Sequence, residues 1–113
     1  MDRARTVRLQ SAYYILTGVF PLVSRRGFEA VTGSKTDWWL VQMVGLLAVT
    51  NGLALAAGSN DRKLSAETLA LSVLSAASFA AIDLVYALKR RISPIYLADA
   101  AVEALLIYGV TRP

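Results

Sequence analysis

At 113 residues the chain is one domain's worth, with no room for a separate catalytic domain. Hydrophobic residues make up 56% of it and the mean hydropathy is +0.49, more apolar surface than a soluble domain this small can bury. The net charge of +4 fits loops resting on anionic lipid, while no loop is large enough for a nucleic-acid surface; with neither Cys nor His, thiol chemistry, disulfides, His-ligated haem and the usual zinc sites are excluded.

Residues 1–113 are expected to form a single integral membrane domain with spans at about 8–24, 37–57, 66–88 and 94–110. The first span starts at Val7 or Arg8 and runs to Ser24, with Pro21 bending or ending it near the interface. It is not read as a cleavable signal, because no small-x-small site follows and Phe20-Pro21-Leu22 continues into Arg25-Arg26. Tyr13 and Tyr14, near its start, read as interfacial anchors. Arg25 to Thr36 is too amphipathic for a plain turn. Phe28 and Val31 lie on one side, Ser24 can open a turn and Gly33 can cap it, so a short interfacial helix is expected.

The second span opens at Asp37 as N-cap, stays free of formal charge from Trp38 to Ala57, and stops near Gly58. Trp38 and Trp39 mark one interface. Gln42 and Asn51 within it read as interhelical glue, and Gly18, Gly45, Gly52 and the Ser72, Ser75, Ser78 series as close-packing surfaces. After the polar turn Gly58–Leu64, Ser65 caps the third span and Glu67 sits in its first turn. That span ends at Lys89-Arg90-Arg91, and the fourth begins with Ser93 as N-cap and Pro94 at the first helical position. Short loops make sequential helices antiparallel neighbours. The expected fold is therefore all-α, a four-transmembrane-helix up-down-up-down bundle with a short interfacial helix between spans one and two.

Orientation does not follow from charge. Arg3, Arg5, Arg8, Arg62, Lys63 and Arg112 fall on one side, and Arg25, Arg26, Lys35, Lys89, Arg90 and Arg91 on the other, six against six. Tight placement against span ends favours the second group inside. A balanced count is also what a dual-topology protein shows, and a homo-oligomer is compatible with it.

Three acids interrupt the apolar segments. Asp99 and Glu103 lie four apart on one helical face of the fourth span, and Asp83 lies in the third. Asp83 sits six residues before Lys89 and Asp99 six after Ser93, so the hairpin brings both roughly 9 Å in from the loop, with Glu103 deeper. Ser65, Ser72, Ala76, Phe79, Asp83 and Tyr86 share one face of the third span; Tyr96, Asp99, Glu103, Leu106 and Val110 share one face of the fourth. If those faces meet, Glu103, Asp99, Asp83, Tyr86 and Tyr96 form a proton- or ligand-binding site. Ionisable groups at membrane depth cost about 2.5–3.5 kcal/mol each on insertion scales, so they mark a site by default. Such carboxylates can exchange a proton for a cationic ligand. The alternative is structural: basic groups at the loop neutralise them, or they are protonated and bonded to Tyr, Ser, Gln42 or Asn51.

Two readings also attach to Thr32–Asp37. Lys35 with Arg25 and Arg26 could contact a lipid phosphate at the N-terminus of span two, or the segment is a Gly turn with an Asp cap. No nucleophile–base pair, P-loop, metal set or cofactor motif is present, so no enzyme activity is expected.

The stretch Phe28-Glu29-Ala30-Val31-Thr32-Gly33-Ser34-Lys35-Thr36-Asp37-Trp38-Trp39-Leu40-Val41, with the upstream Tyr14 to Pro21 segment, resembles a family of small bacterial four-span membrane proteins. The resemblance implies a bacterial inner-membrane setting and supplies no activity. In size and span number the chain is also similar to the small multidrug resistance transporters. Their key glutamate lies in the first span, whereas Glu103 lies in the fourth, so that likeness is architectural. The function expected from the residues is binding or movement of a small amphipathic or cationic ligand at intramembrane carboxylates. The rival is a non-transporting accessory or lipid-organising membrane protein.

Overall fold

The computed structural model describes residues 2–60 and 63–112. Within them lie five helices and no strand: α1 (Arg3–Val23), α2 (Arg25–Thr32), α3 (Trp38–Gly58), α4 (Ala66–Leu88) and α5 (Ile95–Thr111). Asp61 and Arg62, part of the expected Gly58–Leu64 turn, lie outside the described residues, as does Arg62's place in the basic tally.

Each helix begins and ends for a local reason. The first starts at Arg3, earlier than Val7, because the Asp2 carboxylate accepts the Arg5 backbone N–H at 2.7 Å and a polar first turn is no obstacle to a capped helix. Pro21 does not end it: the helix runs two residues further, to Val23. Ser24 then accepts the Gly27 N–H at 3.0 Å and opens α2, which Gly33 closes at φ +93°. Asp37 precedes α3 but makes no side-chain cap, since its backbone is turned away from the capping conformation. Ser65 caps α4 through the Thr68 N–H at 3.1 Å. α5 is taken from Ile95, one residue later than expected, although Ser93 Oγ still accepts the Ile95 N–H at 3.3 Å.

The turn between α4 and α5 holds a residue that sequence reasoning passes over. Arg90 has φ +59°, the Arg90 N–H bonds Ala87 O at 3.1 Å, and the Arg91 N–H bonds Tyr86 O at 2.9 Å. That is a Schellman closure with arginine where glycine usually sits. Arg90→Gly should therefore raise stability by about 0.5–1 kcal/mol, the relief of a left-handed side-chain-bearing residue. Thermal unfolding in detergent reads this; a lower melting temperature would show that the arginine side chain outweighs the strain.

The packing is in two antiparallel pairs. α1 lies along α3, with Gly18 against Gly45 and Ser11 against Gly52, where Ser11 Oγ donates to Gly52 O at 2.7 Å. α5 lies along α4. Sequence-adjacent α3 and α4 touch near their shared turn, at Gly58–Thr68 and through the Asn51 amide donating to Ser75 Oγ at 3.1 Å, then diverge around an open groove of about 370 Å³. The pairs are joined instead by α1, which meets α5 and reaches α4 through Gln10 and Tyr14. The core between them is Val7, Tyr14, Leu55, Leu106 and Val110. Of the expected interhelical contacts in α3, Asn51 makes one; Gln42 is exposed.

Two helices, α3 and α4, are long and apolar enough to cross a membrane, and only 22% and 17% of their most apolar windows is buried within the protein. A core helix of a soluble protein would be mostly covered.

α2 has no buried residue, yet it is firmly tied down. The rings of Phe20, Phe28 and Trp38 stack edge to face at 5.7 and 5.8 Å, and the Arg25 guanidinium lies 4.9 Å from the Trp38 ring. Glu29 reaches back over the turn to accept the Lys35 backbone N–H at 2.7 Å and pairs with Arg25 at 3.3 Å. The Lys35 N–H, then the Arg25 guanidinium, hold the Glu29 carboxyl below the usual carboxylate range.

A buried carboxyl cluster between three helices

The site is built from α1, α4 and α5. On α5, Asp99 and Glu103 project from successive turns toward α1, where two consecutive tyrosines meet them. Tyr14 Oη donates to Glu103 Oε1 at 2.7 Å, and Tyr13 Oη donates to Asp99 Oδ1. One element thus supplies neighbouring donors at i, i+1 and the other acceptors at i, i+4. That match works because adjacent side chains on α1 diverge by about 100° while the α5 pair is stacked along its axis.

Gln10 extends the chain of bonds. Its amide nitrogen donates to Tyr14 Oη at 3.1 Å and to Ser72 O at 3.0 Å, while Ser72 Oγ donates to Gln10 Oε1. Both ends of the amide are used, so its orientation is set by its partners. With the Tyr14 oxygen accepting from Gln10, the Tyr14 proton is directed at Glu103. The Phe79 ring stands edge-on to Tyr14 at 5.3 Å and closes the apolar side.

Asp83 of α4 completes the cluster. Its carboxyl lies near those of Asp99 and Glu103. Asp83 is 5% exposed and its Oδ2 has no hydrogen-bond partner; Glu103 is 1% exposed. No basic side chain pairs with any of the three: among the described residues the single ion pair is Arg25–Glu29. Neutralisation of Asp83 and Asp99 by the loop arginines is therefore not what the structure contains. Asp99 and Glu103 are met by tyrosines, and neither Gln42 nor Asn51 takes part. Among the described residues no group of three acids is arranged to hold a metal ion.

The other expected site residues lie elsewhere. Tyr86 is 40% exposed on the outside of α4, with Lys89 Nζ 5.6 Å from its ring centre. Tyr96 is half-buried, and its ring carries Lys35 Nζ at 5.2 Å. Each sits three positions from its aspartate, a rotation of about 300° that leaves it off the aspartate's line.

Arg25, Arg26 and Lys35 do not converge on an open anion seat. Arg25 is engaged with Glu29, Trp38 and Lys35 O, Lys35 donates to Thr32 O at 2.9 Å, and Arg26 is exposed. What sequence reasoning missed is α1. Tyr13 and Tyr14 are not interfacial anchors but donors to Asp99 and Glu103, and Gln10 joins them. The available signal was a glutamine at i, i+4 from a tyrosine inside an apolar segment.

Comparison with known proteins finds no matching family, no similar curated protein and no similar solved structure.

Proposed function

We propose that this is an integral membrane protein in which α1 and α5 cross the bilayer beside α3 and α4, as a four-span bundle with α2 at the headgroups. On this reading the carboxyl cluster is a protonatable site that binds or moves a small amphipathic or cationic ligand. α1 and α5 fall short of a span by composition and length alone, for α1 opens with Arg3, Arg5 and Arg8 and α5 has 17 residues with two acids. Their central polar groups, however, are turned toward each other, and Leu9, Leu16, Val19, Leu97 and Leu105 are left facing out. The bacterial inner membrane is the setting that the Phe28–Val41 resemblance suggests.

The observation that carries the functional reading is Asp83, Asp99 and Glu103 gathered in the interior without a cation. Three carboxyls so placed are costly as mere glue, and they offer a lipophilic cation the charge it lacks in the membrane. The accessory reading is favoured by one other observation. Glu103 is sealed from solvent and lines neither of the two grooves described.

Binding of radiolabelled tetraphenylphosphonium to the purified protein, followed between about pH 5 and 9, separates the two. A cation competes with protons for the same carboxyls, so binding should rise with pH, and Glu103→Gln should remove that rise while leaving the protein folded. Absence of binding at every pH, or an unchanged profile in the variant, would leave the accessory reading standing.

A further inference from the structure

Between α1 and α5, on the outer side away from the carboxyl cluster, runs a groove of about 350 Å³. Leu9 on one side and Leu105, Leu106 and Tyr108 on the other form its walls, and Thr6 packs against Gly109 at its floor. Its apolar lining is substantially uncovered: Leu9, Leu105 and Tyr108 are all exposed. The absence of a side chain at residue 109 lets the two helices approach at this floor; a Cβ there would come within 2.8 Å of Thr6.

One end of this groove is basic. Arg112 lines it directly and lies one turn beyond Tyr108, its guanidinium 5.4 Å from that ring. Arg5 lies one turn before Leu9 on the facing helix, on the same stripe. The helices are antiparallel, so both arginines come to the same end, where Arg3 Nε donates to Arg112 O at 3.0 Å. Neither Arg5 nor Arg112 pairs with a carboxylate among the described residues, and the nearby Asp2 carboxylate is engaged in capping α1.

We propose that this groove is a binding site for one anionic phospholipid, an acyl chain lying along Leu9, Leu105 and Leu106 and the phosphate held by Arg112 and Arg5. A groove apolar along its length and cationic at one mouth is complementary to that molecule, since the headgroup charge and the chain are recognised together. A soluble anion would use the arginines but leave the groove empty, and a zwitterionic lipid would fill the groove without the charge match. The inference shares with the reading above only the membrane setting; it does not depend on the carboxyl cluster.

The test is native mass spectrometry of the whole chain released from nanodiscs of equal phosphatidylglycerol and phosphatidylcholine. One phosphatidylglycerol should be retained in preference to phosphatidylcholine, and free glycerol phosphate should not displace it. The double variant Arg5→Gln/Arg112→Gln should weaken retention roughly thirtyfold, the equivalent of two cation–headgroup contacts. Leu9→Trp, which fills the groove and leaves both charges, should also lose the lipid. Equal retention of the two lipids, retention unchanged in the arginine variant, or displacement by glycerol phosphate would overturn the proposal. Release of the chain from membranes by alkaline carbonate would instead count against the membrane reading itself.

Discussion

Gly45→Leu is expected to break the α1–α3 pair, with a loss of stability of about 3 kcal/mol or more. A Cβ at Gly45 would stand 2.7 Å from Gly18 O and 3.1 Å from Pro21 Cγ, and at Gly52 it would stand 2.9 Å from Ser11 O. These neighbours are backbone atoms and a ring, which cannot rotate aside as a flexible side chain would. In a membrane, where lipid tails are as apolar as leucine, such close backbone approach supplies the attraction that holds helices together. Separation of α1 from α3 would also remove the Ser11–Gly52 bond and release the helix that carries both site tyrosines. Gly33→Leu is the steric control: nothing lies within 4 Å of it, and at φ +93°, ψ 164° its cost of about 1–3 kcal/mol is backbone strain alone. Thermal unfolding in detergent compares the two. Equal melting temperatures for Gly45→Leu and the parent would mean that the glycine seam does not hold the pair.

Tyr14→Phe should destabilise the protein by about 1–3 kcal/mol although it removes a single oxygen. Glu103 would lose its tyrosine donor and Gln10 one of its acceptors, both in surroundings closed to water. The asymmetry of buried hydrogen bonding gives a sharper form of the same expectation. Removing one partner strands the other, whereas replacing both by apolar groups strands neither. The double variant Tyr14→Phe/Glu103→Leu should therefore be more stable than the sum of the single effects by at least about 1 kcal/mol. Glu103→Gln should be nearly neutral, because the amide oxygen still accepts from Tyr14 and one acid leaves a cluster with no cation. Strict additivity in this cycle would show that Tyr14 and Glu103 are neighbours without being coupled.

Both expectations depend on α1, and α1 is where sequence and structure part most. The all-α architecture, the short helix after Ser24 and the ends of α3 and α4 were legible because each rests on local chemistry: a serine donor-acceptor at 24 and 65, a glycine at 33, a charge-free run from 38 to 57. The shared level of Asp83 and Asp99 was legible for a similar reason, since a short turn and a fixed rise per residue leave little freedom.

Which faces meet was not legible. Periodicity assigns residues to a helical face, but it does not say which other face that one touches. The tight Gly18–Gly45 and Ser11–Gly52 contacts commit the small-residue side of α1 to α3, and the side left over carries Gln10, Tyr13 and Tyr14 to the acids. The same commitment draws α3 away from α4 and opens a groove where sequence order suggested a packed seam. The helical wheel groups Tyr86 and Tyr96 with the acids, yet a modest rotation sends each to a lysine instead. The left-handed arginine at 90 is of the same kind, for a tight interhelical turn demands that backbone there whatever residue occupies it. The helices, the serine caps at 24 and 65 and the glycine stop at 33 are readable from the chain alone, because these depend on residues a turn or two apart. That Tyr13 and Tyr14, not basic residues, meet Asp99 and Glu103 emerges only in the packed molecule, because it follows from how closely two glycine-bearing backbones can approach.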